Sequence, residues 1–129
     1  MGCFVEVFRF WMLVPETEIV VRRLARLVIP PVLLADCTSS RCRRFGLTGE
    51  IHSTPEYTVT QAWAAALAAA GFGGIRYLLR HDPGQLLTGI ALFGPAGVAG
   101  WPFDPSEPIG PGVIEEAEQR FGVRVMPTP

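Results

Sequence analysis

The chain has 129 residues, 49% of them hydrophobic and 18% charged, which suits one packed domain and is too short for two cores joined by a linker. All eleven cations are Arg, and the net charge of −1 divides into +2 over residues 1–50, +1 over 51–80 and −4 over 81–129. Such mild imbalances do not imply nucleic-acid or membrane binding by field alone.

Three Cys without framework spacing fit a reducing compartment, so a cytoplasmic protein is expected. The N-terminus MGCFVEVFRFWMLVP lacks a basic leader region and carries Glu6 and Arg9 within its apolar run, unlike a signal peptide. The apolar run AWAAALAAAGFGGI falls well short of the ~20 residues that a membrane span needs, so no membrane segment is expected.

In chain order, FVEVFRF (4–10) has apolar residues at both even and odd positions and predicts a strand buried on two sides. Residues 15–30 predict a turn or short helix from Thr17 followed by a strand. VLLADC reads as a strand end, and TSSRCRRFG as a Ser/Thr-capped helical turn closed by Gly46. After HSTPEY, Thr58 or Thr60 is expected to cap a helix through QAWAAALAAA that stops at Gly71. GIRYLLR, HDPGQ and TGIALFG then predict strand, turn and strand. Residues 94–112 are dense in Gly and Pro and predict a long loop without regular structure. Pro111 opens a last helix with Val113, Ile114, Ala117 and Phe121 on one stripe, Gly122 ends it, and VRVMP predicts a closing strand. The result is a single α+β domain over 1–129, a mixed sheet flanked by helices.

Gly71, Gly73 and Gly74 follow a helix instead of opening one, so they do not form a dinucleotide fingerprint. Cys37, Cys42 and His52 could be imagined on zinc, but the Cys spacing and the lack of an evident fourth ligand argue against it, and no metal is expected. The clusters Arg22, Arg23, Arg26 and Arg41, Arg43, Arg44 read as solvated faces, with phosphate or a protein partner as the other option. Arg80-His81-Asp82 stands at a strand end, where side chains leave the sheet; there Asp82 either orients His81 or bonds backbone. Glu6 stands out because a carboxylate on a buried strand costs several kcal/mol unless it is paired. Structural pairing, with Arg9 among the partners on offer, and catalysis both remain open for it.

FVEVFRF, STPEYTVTQAWAAAL, GFGGIRYLLRHDP and GIALFG together resemble the RES domain, a bacterial NAD-degrading toxin family usually encoded beside a helix-turn-helix antitoxin. The resemblance covers roughly residues 3–94. It implies an incomplete fold similar to ADP-ribosyltransferases, with NAD as substrate, no bound cofactor, and the antitoxin as protein partner. It implies a catalytic role for Glu6 and a pyrophosphate-binding role for Arg80. In the motif GIRYxSR the family Ser falls on Leu79, and the family Arg belongs to a segment upstream of the first strand. The expectation is therefore an N-terminally truncated chain with weak or absent NAD cleavage, whose open sheet edges favour association between copies. The alternative is an inactive remnant that serves only to bind the antitoxin or another protein.

Overall fold

The computed structural model describes residues 1–97, 100–102 and 104–127, and the chain divides into two compact units, 1–29 with 99–129 and 30–98. The family of elements is α+β: four α-helices, two 3₁₀ helices and seven short strands among the described residues.

The first unit opens with helix α1 (Gly2–Val7), where a two-sided strand was expected. Phe4 and Phe8 are four apart, a spacing that suits both a period of two and a helical turn. What separates the two readings is the rest of the segment: Phe4, Val5 and Phe8 are buried while Val7 and Phe10 are exposed, a helical stripe. The Phe4 and Phe8 rings meet at 4.7 Å between centroids, and the Phe8 amide donates to the Phe4 carbonyl. Strand β1 (Leu13–Pro15), helix α2 (Glu16–Val20) and the two-residue strand β2 (Arg23–Leu24) follow, so the expected short helix then strand is present from 16 to 24. β2 pairs antiparallel with β6 (Glu107–Pro108). That bridge is regular structure inside the segment expected to have none; of that segment, Val98, Ala99 and Phe103 lie outside the described residues.

Helix α4 (Pro111–Phe121) begins with Pro at its first turn and ends at Gly122, whose φ of 68° is left-handed. Its stripe of Val113, Ile114, Ala117 and Phe121 packs on the core of this unit, formed by Phe4, Phe8, Val14, Ile19, Ala117 and Val123. Strand β7 (Arg124–Met126) closes the chain, parallel to β1 with Val14 opposite Val125.

The second unit is built on a three-stranded sheet in the order β3 (Leu34–Asp36), β4 (Gly74–Leu78), β5 (Thr88–Leu92), parallel then antiparallel. The crossover from β3 to β4 carries the 3₁₀ helices Ser40–Phe45 and Gly49–His52 and the helix α3 (Tyr57–Ala69). The first of these is capped as expected: Ser39 Oγ accepts from the Arg41 amide, and Gly46 is left-handed. α3 starts earlier than expected, with Glu56 at its N-cap, so Thr58 and Thr60 lie inside the first turn and neither caps it. Thr60 Oγ1 donates instead to the Tyr57 carbonyl, the local back-bonding typical of a hydroxyl within a helix. Thr60, Trp63, Ala64 and Leu67 form its half-buried stripe, and the helix packs on β4. No described helix is long and apolar enough to cross a membrane.

Candidate functional site

Glu6 lies on α1, in the first unit, and Arg80 follows β4 in the second. The buried-carboxylate argument for Glu6 is overturned. Its side chain is 30% exposed, on the helix flank away from Phe4 and Phe8, and Arg9 Nη1 stands 3.7 Å from its Oε2. A half-exposed pair three residues apart carries no large desolvation cost.

Arg80 sits in the connection between β4 and β5, and Asp82 organises that connection. The Asp82 residue is 5% exposed, and its carboxylate collects three backbone donors: Gly84 N–H on Oδ1 at 3.1 Å, and Leu86 and Leu87 N–H on Oδ2 at 2.7 Å each. The Asp82 amide donates to Leu79 O and the Leu79 amide to Leu87 O, which closes the loop onto the hairpin. Of the two roles open to Asp82, bonding backbone is therefore present. This loop holds Arg80 at its exposed edge, where Nε faces His81 Nε2 at 3.3 Å.

Leu79, where the resemblance leads one to expect the family Ser, is 3% exposed. It packs over Gly89, where an added Cβ would lie 2.9 Å from Leu79 Cδ2 and 2.7 Å from Tyr77 Cζ. The strand pair can accommodate both side chains only because residue 89 is glycine.

The second unit also contains a cavity of about 300 Å³ whose lining includes Cys37, Cys42, Arg43, Thr48, His52 and Gln85. Thus the two thiols and the imidazole considered for zinc border one space. Among the described residues, however, no three His, Cys, Asp or Glu side chains are placed to hold a metal ion. His52 Nδ1 accepts the Leu78 N–H at 3.4 Å, which latches the second 3₁₀ helix to the end of β4. Burial pushes the His52 pKa below its ordinary value, against a smaller opposing effect of a backbone hydrogen bond with Cys37. Cys37 is buried and its thiol pKa is raised, by burial first and then by the neighbouring Cys42 and Asp36. Asp36 is held below the carboxylate range, chiefly by the Thr38 hydroxyl, which donates to its Oδ1 at 2.6 Å, and to a lesser degree by the Thr38 amide and Arg76. Nothing in the sequence pattern alone singled out this cavity, because its walls come from a strand end, two 3₁₀ turns and the hairpin loop.

Of the Arg clusters, Arg22 pairs with Glu18 and lies over the Phe8 ring, and Arg23 bonds Ser106. Arg41, Arg43 and Arg44 stand exposed on the first 3₁₀ helix, as a solvated face would.

The sequence model of the RES domain matches residues 1–108, which takes in all of the second unit and most of the first. No curated protein and no solved structure matches the chain. With more than half its length matched, the chain belongs to the RES domain family.

Proposed function

We propose that this RES-domain chain binds NAD and cleaves its nicotinamide–ribose bond, as the toxin half of a pair whose antitoxin is a helix-turn-helix protein in the cytoplasm. The observation that carries the reading is the family match over residues 1–108, a range that includes Glu6 and Arg80, to which the sequence resemblance assigns the site roles. The fold expected with that chemistry is similar to ADP-ribosyltransferases.

Loss of nicotinamide leaves an oxocarbenium-like ribose, and a nearby carboxylate stabilises the positive charge and orients the incoming water or phosphate. The resemblance assigns that carboxylate to Glu6, in the first unit. Arg80 supplies a guanidinium whose fork geometry suits the pyrophosphate, and the Asp82-bound loop fixes its backbone in advance. The reading also requires slow chemistry. Leu79 places a buried hydrocarbon where the family has a hydroxyl, and a missing hydrogen bond to a buried partner costs about 1–3 kcal/mol.

That same buried Leu79 favours a second reading, in which the chain is catalytically silent and retains only its protein-binding surface. Nicotinamide release by the purified chain, measured beside Glu6→Ala and Arg80→Ala, separates the two. Slow release that vanishes in Glu6→Ala, with weaker NAD binding in Arg80→Ala, supports cleavage. Release that survives Glu6→Ala would overturn the catalytic assignment. No release together with no NAD binding would leave the protein-binding reading.

A further inference from the structure

The proposed NAD cleavage assigns no role to the thiol pair in the second unit, yet the placement of that pair is specific. Cys37 follows the last residue of β3, and Cys42 lies in the 3₁₀ helix that folds back over it. The fold-back is fixed by backbone bonds, from Ser39 N–H to Asp36 O and from Cys42 N–H to Ser39 O. Cys42 Sγ lies 3.1 Å from the carbonyl oxygen of Asp36, the residue bonded to Cys37, so its sulfur is one peptide group away from Cys37. Both cysteines line the same cavity of about 300 Å³, which gives the two side chains a common space to turn into. Cys42 is half-exposed, whereas Cys37 is buried.

We infer that Cys37 and Cys42 form a reversible disulfide across this cavity when the protein meets a hydroperoxide. Cys42, the accessible thiol, reacts first: its thiolate attacks one peroxide oxygen, the O–O bond breaks, and the departing oxygen leaves as water after taking a proton, so that Cys42 becomes a sulfenic acid. The Cys37 sulfur then attacks the Cys42 sulfur, the S–O bond breaks, and the hydroxyl leaves as a second water with the Cys37 thiol proton. Two thiols lose two electrons in total, and one hydrogen peroxide is reduced to two waters. The order of attack follows from access and from the burial that disfavours the Cys37 thiolate. The bridge replaces the Cys42 contact with the Asp36 carbonyl and ties the end of β3 to the 3₁₀ helix, closing one wall of the cavity. A dithiol restores the open form.

The test uses the full chain with Cys3→Ser, which removes the exposed third thiol as a route to cross-linking between copies. The native protein is treated with hydrogen peroxide, alkylated, digested and mapped by mass spectrometry. The expected result is that Cys37 and Cys42 lose alkylation together, in one linked species lighter by two hydrogens, and that dithiothreitol returns both. Both thiols remaining alkylatable, or sulfinic acid on either without a link, would overturn the proposal. In Cys42→Ser, Cys37 should stay reduced at the same peroxide dose, and its oxidation at the wild-type rate would refute Cys42 as the attacking group. The same mapping run on the unsubstituted chain does not depend on how either substitution folds.

Discussion

Asp82→Ala probes the group on which the second unit's hairpin loop depends. The carboxylate is nearly inaccessible and accepts from the amides of Gly84, Leu86 and Leu87. Each hydrogen bond to a charged acceptor is worth about 1.5–3 kcal/mol, but the loop residues Gly84 and Leu86 are exposed and their amides regain water when the carboxylate goes. Only the amide of Leu87, half-buried at the foot of β5, is left without easy solvation. The net local cost is therefore about 3 kcal/mol, nearer one full bond and two discounted ones than three full ones. Because the chain has two units, a global unfolding curve would blur the effect. Amide exchange at residues 84, 86 and 87 reads it directly, and 3 kcal/mol corresponds to roughly a hundredfold faster exchange there. Asp82→Asn, which keeps one acceptor oxygen and turns an amide group toward the remaining donors, should fall between wild type and Ala. Exchange in Asp82→Ala within about twofold of wild type, an effect of under 0.5 kcal/mol, would refute the view that this carboxylate organises the loop carrying Arg80.

Leu79→Ser should destabilise the second unit by about 2–5 kcal/mol, the range for truncating a buried Leu, while raising nicotinamide release; unchanged amide exchange in β4 and β5 would contradict its packing role. Gly89→Ala should cost about 1–3 kcal/mol, because the new methyl meets Tyr77 and Leu79 below 3 Å, and a neutral result would show that both side chains can move away. The lowered pKa of His52 means that its neutral form belongs to the folded state and that the unfolded chain binds the proton more readily. Its contribution is thus complete above the ordinary imidazole pKa of about 6.5 and is lost as pH falls through the lower folded value. An NMR titration of His52 should give a midpoint below that of a free imidazole, and a midpoint at or above it would refute the burial argument.

The sequence was most legible where local chemistry and tertiary packing agree. Gly46 and Gly122 sit at left-handed helix ends, Pro111 opens α4, and the stripe from Val113 to Phe121 packs on a core as its spacing requires. The order helix, strand, turn, strand from α3 to β5 was also readable, since Ala-rich and β-rich runs alternate there with clear stops. FVEVFRF was misread because four-residue spacing of Phe is compatible with either period, and β-prone Val and Phe tilted the choice toward a strand. Packing of Phe4 and Phe8 in one core with Ala117 decided for the helix, an interaction between residues more than a hundred positions apart that no local window contains. The start of α3 was misplaced for a smaller reason: two Thr with capping ability lay close to the true boundary, and hydroxyls inside a first turn can bond back to it instead. The cavity around Cys37, Cys42 and His52 was visible only as a list of residue types, because its shape depends on how the two 3₁₀ turns fold against the β4 end.

The change at Glu6 alters what its mutation can reveal. On a two-sided buried strand, a carboxylate would need a partner, and its removal would confound a loss of rate with a loss of fold. On α1 it faces Arg9 at 3.7 Å with side-chain exposures of 30% for Glu6 and 41% for Arg9, and pairs of this kind contribute at most about 1 kcal/mol. Alanine is moreover the better helix former, so Glu6→Ala should leave the melting temperature almost unchanged. A structural role through this ion pair then predicts almost no phenotype, and a catalytic role predicts loss of turnover with NAD affinity largely retained, since the carboxylate acts on charge that develops in the transition state. A large fall in melting temperature would mean that Glu6 has a structural duty beyond Arg9. An unchanged melting temperature with lost release leaves chemistry as the role of this carboxylate.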